Sequence, residues 1–213
     1  SRKDQLEGMS RYGINIDNRL GVSIPDIRRI AKEFGKNHKV ALELWKTGIA
    51  DAKITAALID EVEKVTIKQM DEWVKDFNSW DLCDQCCNNL FVFTRHSYDK
   101  ALEWHTNKNE FIKRAGFVLM AVMAVHKKEF DDTIFIKFLS LIKKEADDDR
   151  NFVKKAVNWA LRQIGKRNEI LNAAAIKTAK EILLMESKSA KWVASNALSE
   201  LTSEKVNVRK IKK

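Results

Sequence analysis

The residues of this chain whose types and spacing suit chemistry gather near its middle and in its second half. Cys83, Cys86 and Cys87 form one tight group, and Cys83-x-x-Cys86 has the spacing of half a zinc site, with His96 and His105 downstream. A structural zinc site needs a second half, and no second cysteine pair follows. The thiols also fall in an apolar stripe at four-residue steps, Leu82, Cys86 and Leu90, where cysteine packs as a small hydrophobe. No metal is therefore assigned. Trp80 and Asp84 are four apart, so they share a helix face opposite that stripe. At this level Asp84 is either a surface or ion-paired carboxylate, or a catalyst. Arg114 stands at the start of a helix, and Trp159 lies close to Arg162 in a later one. His38 and His126 end or follow helices and read as capping or solvated residues. Glycines are scattered singly, and neither a phosphate-cradling loop, a nucleophile elbow nor a dinucleotide fingerprint is present.

Helices must position these groups, because the apolar periodicity is helical nearly throughout. Leu6 to Tyr12 forms a short first segment. Ser23, ahead of Pro25 and Asp26, caps a helix running to about Phe34, and Gly35 and Asn37 stop it. Val40 to Trp45 predicts a helix ending near Gly48, and Ile54 to Val62 another ending about Lys64. Met70, Trp73, Val74 and Phe77 follow, with Trp45 and Trp73 expected in the core. Asn78-Ser79 supplies a break and a cap before the Leu82-Cys86-Leu90 helix. In the second half, Phe111-Ile112-Lys113-Arg114-Ala115 and Phe152-Val153-Lys154-Lys155-Ala156 share one pattern 41 positions apart. Ala190-Lys191-Trp192-Val193-Ala194 is a weaker echo. Helices over Thr133 to Lys144 and Ile170 to Leu184 lie between, separated by polar breaks such as Asp147-Asp148-Asp149. A unit of about 40 residues built from paired helices is the mark of a HEAT-type solenoid, in which neighbouring pairs stack to bury a shared apolar face. The expectation is one all-α solenoid domain over 1–204, followed by a basic tail over 205–213 that frays.

Composition bounds the partners. With 45% hydrophobic and 32% charged residues in 213, the chain can bury a sizeable core. Only 7 Gly and 1 Pro exclude a collagen-like, linker-rich or turn-heavy all-β chain. Lys and Arg number 39 against 30 Asp and Glu, a net charge of +9 that favours polyanions such as nucleic acid. No apolar run reaches membrane-span length, the start lacks a signal peptide's apolar core, and three clustered cysteines make no disulfide framework. These features predict a soluble intracellular protein with no membrane partner: cytoplasmic, and nucleoid-associated if prokaryotic.

The chain resembles the DNA alkylation repair family of HEAT-like repeat DNA glycosylases, the AlkD family, from Arg11-Tyr12 to about Lys191. Gly21-Val22-Ser23-Ile24-Pro25 with Arg28-Arg29, and Leu42-Glu43-Leu44-Trp45, match near the start. The family's Trp-Asp-x-x-Asp run stands as Trp80-Asp81-Leu82-Cys83-Asp84. Its arginine motif is matched by Ile112-Lys113-Arg114-Ala115, and its second tryptophan by Lys155-Ala156-Val157-Asn158-Trp159-Ala160-Leu161-Arg162. The resemblance implies a right-handed α-solenoid with a concave DNA-binding face, and a monomer that needs no metal or other cofactor. It implies excision of cationic alkylated purines, 3-methyladenine and 7-methylguanine, from duplex DNA by hydrolysis of the N-glycosidic bond, without the base flipping general among base-modifying enzymes.

Carried over by position, Asp84 would stabilise positive charge on the sugar and orient or deprotonate the attacking water. Trp80 and Trp159 would lie against the deoxyribose, and Arg114 would clamp a phosphate. Lys113, Lys154, Lys155 and Arg162, with Arg28, Arg29 and Lys166, are the expected phosphate contacts, and Tyr12 matches a position near the DNA. The match begins close to the start, so DNA contacts made by a preceding helical region in relatives are expected to be missing or differently supplied. Ser23 stands where some relatives carry a larger polar residue. Related subfamilies keep the fold but lose the aspartate or an aromatic, and two other readings stand beside the enzyme: a HEAT-like scaffold that binds branched or damaged DNA without cutting it, and a protein-binding solenoid, since HEAT arrays often bind proteins. Retention of Asp84 with both tryptophans favours the enzyme, and the charge of +9 counts against the protein binder.

Overall fold

The computed structural model describes residues 3–203 and 206, in which twelve α-helices and three short 3-10 turns form an all-α architecture with no strand. The basic tail expected over 205–213 lies outside the described residues, Val206 excepted. Among the described residues no helix is long and apolar enough to cross a membrane. The chain divides into two compact units, Ser1–Ser97 and Tyr98–Lys213.

The first unit carries α1 (Lys3–Arg11), α2 (Ile24–Phe34), α3 (His38–Lys46), α4 (Ala50–Ile59), α5 (Ile67–Trp73) and α6 (Trp80–Asn89). Local chemistry sets most boundaries. Ser23 Oγ accepts from the Asp26 N–H at 3.3 Å, with Pro25 in the first turn, so α2 starts where the sequence predicts. Gly35, at φ 83°, ends it by taking a left-handed conformation that side chains disfavour. Asn37 does more than stop α2: its side chain accepts from the Val40 N–H at 3.0 Å and caps α3.

The stripe predicted to run to Lys64 ends instead at Ile59, and a separate 3-10 turn covers Val62–Lys64. The cause is Asp60, fully buried, whose two carboxylate oxygens lie 2.6 Å from His38 Nδ1 and 2.6 Å from the Gln69 amide. Holding both partners turns the backbone out of the helix. Helix α4 is buried on nearly all sides and forms the centre of the unit. Trp45 and Trp73 stack beside it with ring centroids 3.8 Å apart and planes at 7°, and Phe77 and Phe91 close the cluster, placing both tryptophans in the core as expected.

The second unit carries α7, whose first residue is Ser97 (Ser97–Trp104), then α8 (Glu110–His126), α9 (Asp132–Lys144), α10 (Asn151–Gly165), α11 (Glu169–Leu183) and α12 (Lys188–Leu201). Helix α7 has no counterpart in the sequence reading, because it is two turns long and buries a lysine. The Lys100 ammonium bonds Glu103 at 2.6 Å and lies 5.8 Å from the Trp104 ring. Helix α8 passes the end of α7 so closely that a Cβ on Gly116 would meet the His105 backbone nitrogen at 2.6 Å.

The repeat is real in three dimensions. Phe111 and Phe152, equivalent in the two motifs, pack with ring centroids 5.3 Å apart. The starts of α8 and α10 are cross-tied: the Phe152 N–H donates to Glu110 at 3.1 Å, and Arg150 donates to the Lys108 carbonyl at 2.7 Å. The third echo joins the same stack, with Asn158 of α10 donating to the Val193 carbonyl of α12 at 3.0 Å.

Candidate nucleic-acid site

The predicted site residues fall in both units: Tyr12, Arg28, Arg29, Trp80 and Asp84 in the first, and Lys113, Arg114, Lys154, Lys155, Trp159, Arg162 and Lys166 in the second.

In the first unit the site is built on α6. Leu82, Cys83, Cys86 and Cys87 are buried on its inner side, which leaves Trp80 and Asp84 half-buried on the other. Complete burial pushes the Cys86 and Cys87 thiols well above the usual range, so these cysteines are packing residues. Ser79, expected to cap α6, makes no capping bond. Its hydroxyl donates to Asp81 instead, and the Arg19 guanidinium grips the same carboxylate through two nitrogens, at 2.7 and 3.1 Å. Side-chain exposures of 2% for Arg19 and 8% for Asp81 make this a buried bidentate ion pair. A carboxylate in the first turn also complements the helix dipole. The pair staples the chain ahead of α2 to the first turn of α6, and so fixes the direction in which Trp80 and Asp84 point.

Sequence spacing offers no sign of this anchor, because Arg19 and Asp81 are 62 positions apart. The Trp80 indole N–H donates to the Tyr12 carbonyl at 3.1 Å, so the backbone of Tyr12 meets the tryptophan while most of its side chain stays exposed. Arg28 reaches α6 from α2, donating to Gln85 at 3.3 Å, one residue past Asp84. Arg29 turns back onto its own helix, 3.2 Å from Glu33 and 3.8 Å from Asp26.

In the second unit, Asn109 caps α8 through the Phe111 and Ile112 N–H groups at 2.9 and 3.2 Å, setting the turn that carries Lys113 and Arg114. Arg114 is buried, and its Nη1 donates to the Phe152 carbonyl at 2.7 Å. Lys113, expected to contact phosphate, is buried between two carboxylates, 2.5 Å from Glu145 and 2.7 Å from Asp148. It is an internal ion pair, because the Asp147-Asp148-Asp149 break folds its middle residue inward. Arg150 holds the same Asp148 at 2.6 Å, and Ser189 donates to the Asp148 carbonyl at 2.6 Å. The loop is thus a knot that ties α8, α10 and α12.

Burial alone would raise the Asp148 carboxyl. The bonds from Arg150 and Lys113, with the Lys113 charge, outweigh burial and hold it at about 2, below its ordinary 3.8. A lowered folded-state value stabilises the fold above the ordinary value, and that stabilisation is lost as the pH falls through the lowered one. Denaturant midpoints should therefore fall as the pH drops from 3.8 to about 2, and Lys113→Met should flatten that limb of the profile.

Farther along α10, Trp159 is half-buried and Lys155 is exposed with no ion pair among the described residues. Lys154 sits 5.3 Å from the ring of Trp192, the aromatic of the third, weaker repeat motif. Arg162 and Lys166 converge on Glu200, with Lys166 at 2.6 Å, so their charge is partly balanced within the unit.

The family model described as "DNA alkylation repair enzyme" matches residues 1–201. A solved structure described as "a new family of proteins related to the HEAT-like repeat DNA glycosylases with affinity for branched DNA structures" is 19% identical. The match has a TM-score of 0.81 and covers 99% of this chain and 92% of that one, a likeness of fold. No curated protein sequence gives a significant match. The match across nearly the whole chain, on a fold of HEAT-like helical repeats, places this protein in the DNA alkylation repair enzyme family.

Proposed function

We propose that this protein is a monofunctional DNA glycosylase that hydrolyses the N-glycosidic bond of positively charged alkylpurines, 3-methyladenine and 7-methylguanine, in duplex DNA without base flipping. The observation that carries the reading is the half-buried face of α6, where Trp80 and Asp84 are held in place by the buried Arg19–Asp81 pair. An alkylpurine cation leaves readily. As the C1′–N bond breaks, its electron pair neutralises the base and positive charge develops on the sugar. The Asp84 carboxylate stabilises that charge and accepts a proton as the oxygen of water bonds to C1′. The indole face of Trp80, on the same helix face as Asp84, attracts that charge. Arg114, the expected phosphate clamp, is buried with its Nη1 on the Phe152 carbonyl, so in this reading it secures the start of α10, and phosphate contacts fall to exposed cations such as Lys155. No acid is needed to protonate a leaving group that is already cationic, so one carboxylate suffices.

The test is release of methylated base from methylated duplex by the native protein and by Asp84→Asn, with strand nicking scored in the same samples. Base release without nicking is expected. A second reading, a non-cutting scaffold for branched DNA, draws support from the solved structure's described affinity. It takes over if the native protein binds a four-way junction more tightly than duplex and releases no base.

Affinity in either reading should weaken steeply with salt, by about 0.9 in the log–log slope for each phosphate contact. Lys155→Ala should reduce the slope by about 1. Arg162→Ala should change it clearly less, since Glu200 already balances that charge. Titrations at several salt concentrations read both.

A further inference from the structure

A groove of about 700 Å³ runs between α9 and α11 in the second unit. On α9 it is lined at i, i+3, i+4, i+7 and i+8 by a single stripe from Ile136 to Lys144, and on α11 by the facing stripe from Ala174 to Glu181. The trough exists because Ser140, Ala174 and Thr178 are small, and side chains of that size cannot fill the space between two packed helices. Its floor is apolar, and Ile136 is 42% exposed within it.

The charge along the groove is one-sided. Glu181 is the sole acid in the lining. It is bound to Lys143 at 2.7 Å, and that bond and charge, with the charge of Lys177, hold its carboxyl below the usual range. Lys144 and Lys177 have no ion pair among the described residues. An apolar trough rimmed by two unbalanced lysines suits a helix that presents apolar residues on one face and carboxylates beside them. A DNA backbone rewards donors and gains little from an exposed isoleucine.

We propose that the α9–α11 groove docks an acidic amphipathic helix of a partner protein, with its apolar side chains between Ile136 and Ala174 and its carboxylates on Lys144 and Lys177. None of these residues takes part in the proposed glycosylase chemistry, so the docking stands or falls independently of it.

The test is fluorescence anisotropy of the full chain with labelled helical peptides that carry Leu or Phe at i, i+3, i+4 and i+7. One set has Glu at the other positions and one has Lys. Saturable, salt-sensitive binding of the Glu set alone is expected. Lys144→Glu with Lys177→Glu should weaken it at least tenfold, and so should Ala174→Trp, which fills the trough. Unchanged circular dichroism and thermal melting check that the exposed-site variants remain folded. The same charge reversals should leave duplex affinity unaltered. Binding of neither set, or of both equally, overturns the proposal. So does a charge reversal that lowers duplex affinity while peptide binding is unaffected, which would make the groove a nucleic-acid surface.

Discussion

Asp84→Asn is expected to lower the rate of 7-methylguanine release from methylated duplex by a hundredfold or more, an estimate on the order of 3 kcal/mol of barrier. Asparagine keeps the size and hydrogen-bonding reach of the side chain and removes its charge. The loss should therefore fall on the step in which positive charge develops, while binding through the phosphates of the flanking duplex persists. The kinetic signature is a drop in single-turnover rate with nearly constant DNA affinity. Trp80→Ala should lose less, since it removes one polarisable face and leaves the carboxylate. An Asp84→Asn protein that releases base at the native rate would move catalysis away from α6. Loss of affinity in parallel with rate would make Asp84 a binding or folding residue.

The second large effect is on stability. Asp81→Ala leaves the Arg19 guanidinium buried without its bidentate partner, and an uncompensated buried charge costs about 3–5 kcal/mol. That is a large part of the roughly 5–15 kcal/mol that holds a typical protein folded. At this chain length it corresponds to a fall in melting temperature of roughly 10 °C. The double variant Arg19→Met with Asp81→Leu removes both charges and should recover most of the loss, because paired burial and apolar packing are closely matched in net free energy. The cycle of single and double variants measures the coupling. The double variant also bears on the site. If the pair aims α6, the recovered protein should still release base more slowly than the native one, because Trp80 and Asp84 then start from a turn held by packing alone. Full activity at restored stability would confine the pair to folding.

The first expectation starts from residues that can be named from spacing alone; the second rests on Arg19, which no local pattern marks. Trp80 and Asp84 were legible because four-residue spacing places side chains on one helix face whatever the tertiary structure, and the buried stripe of Leu82 and Cys86 marks the opposite side. The repeat was legible because stacked units that bury the same face need the same residues at the same interval, as the packed rings of Phe111 and Phe152 show. The helix start at Ser23 follows from a bond that spans three residues. What could be read is what short-range geometry governs.

Charge pairing across the chain obeys no such rule. Lys113 reads as a surface cation in its motif, and only the inward fold of the acidic loop makes it an internal partner of Asp148. Arg162 and Lys166 are helix-face cations by spacing, and tertiary packing brings Glu200 to both. Asp60 ends α4 early because His38 and Gln69 arrive from other segments to hold it. A buried charge must find an opposite charge or a set of hydrogen bonds, and which segment supplies them depends on packing that spans tens of residues. The sequence by itself therefore determined most of the helices, their repeat and the shared face of Trp80 and Asp84. Tertiary structure alone decided which cations are bound within the fold and which, like Lys155, remain open to a polyanion.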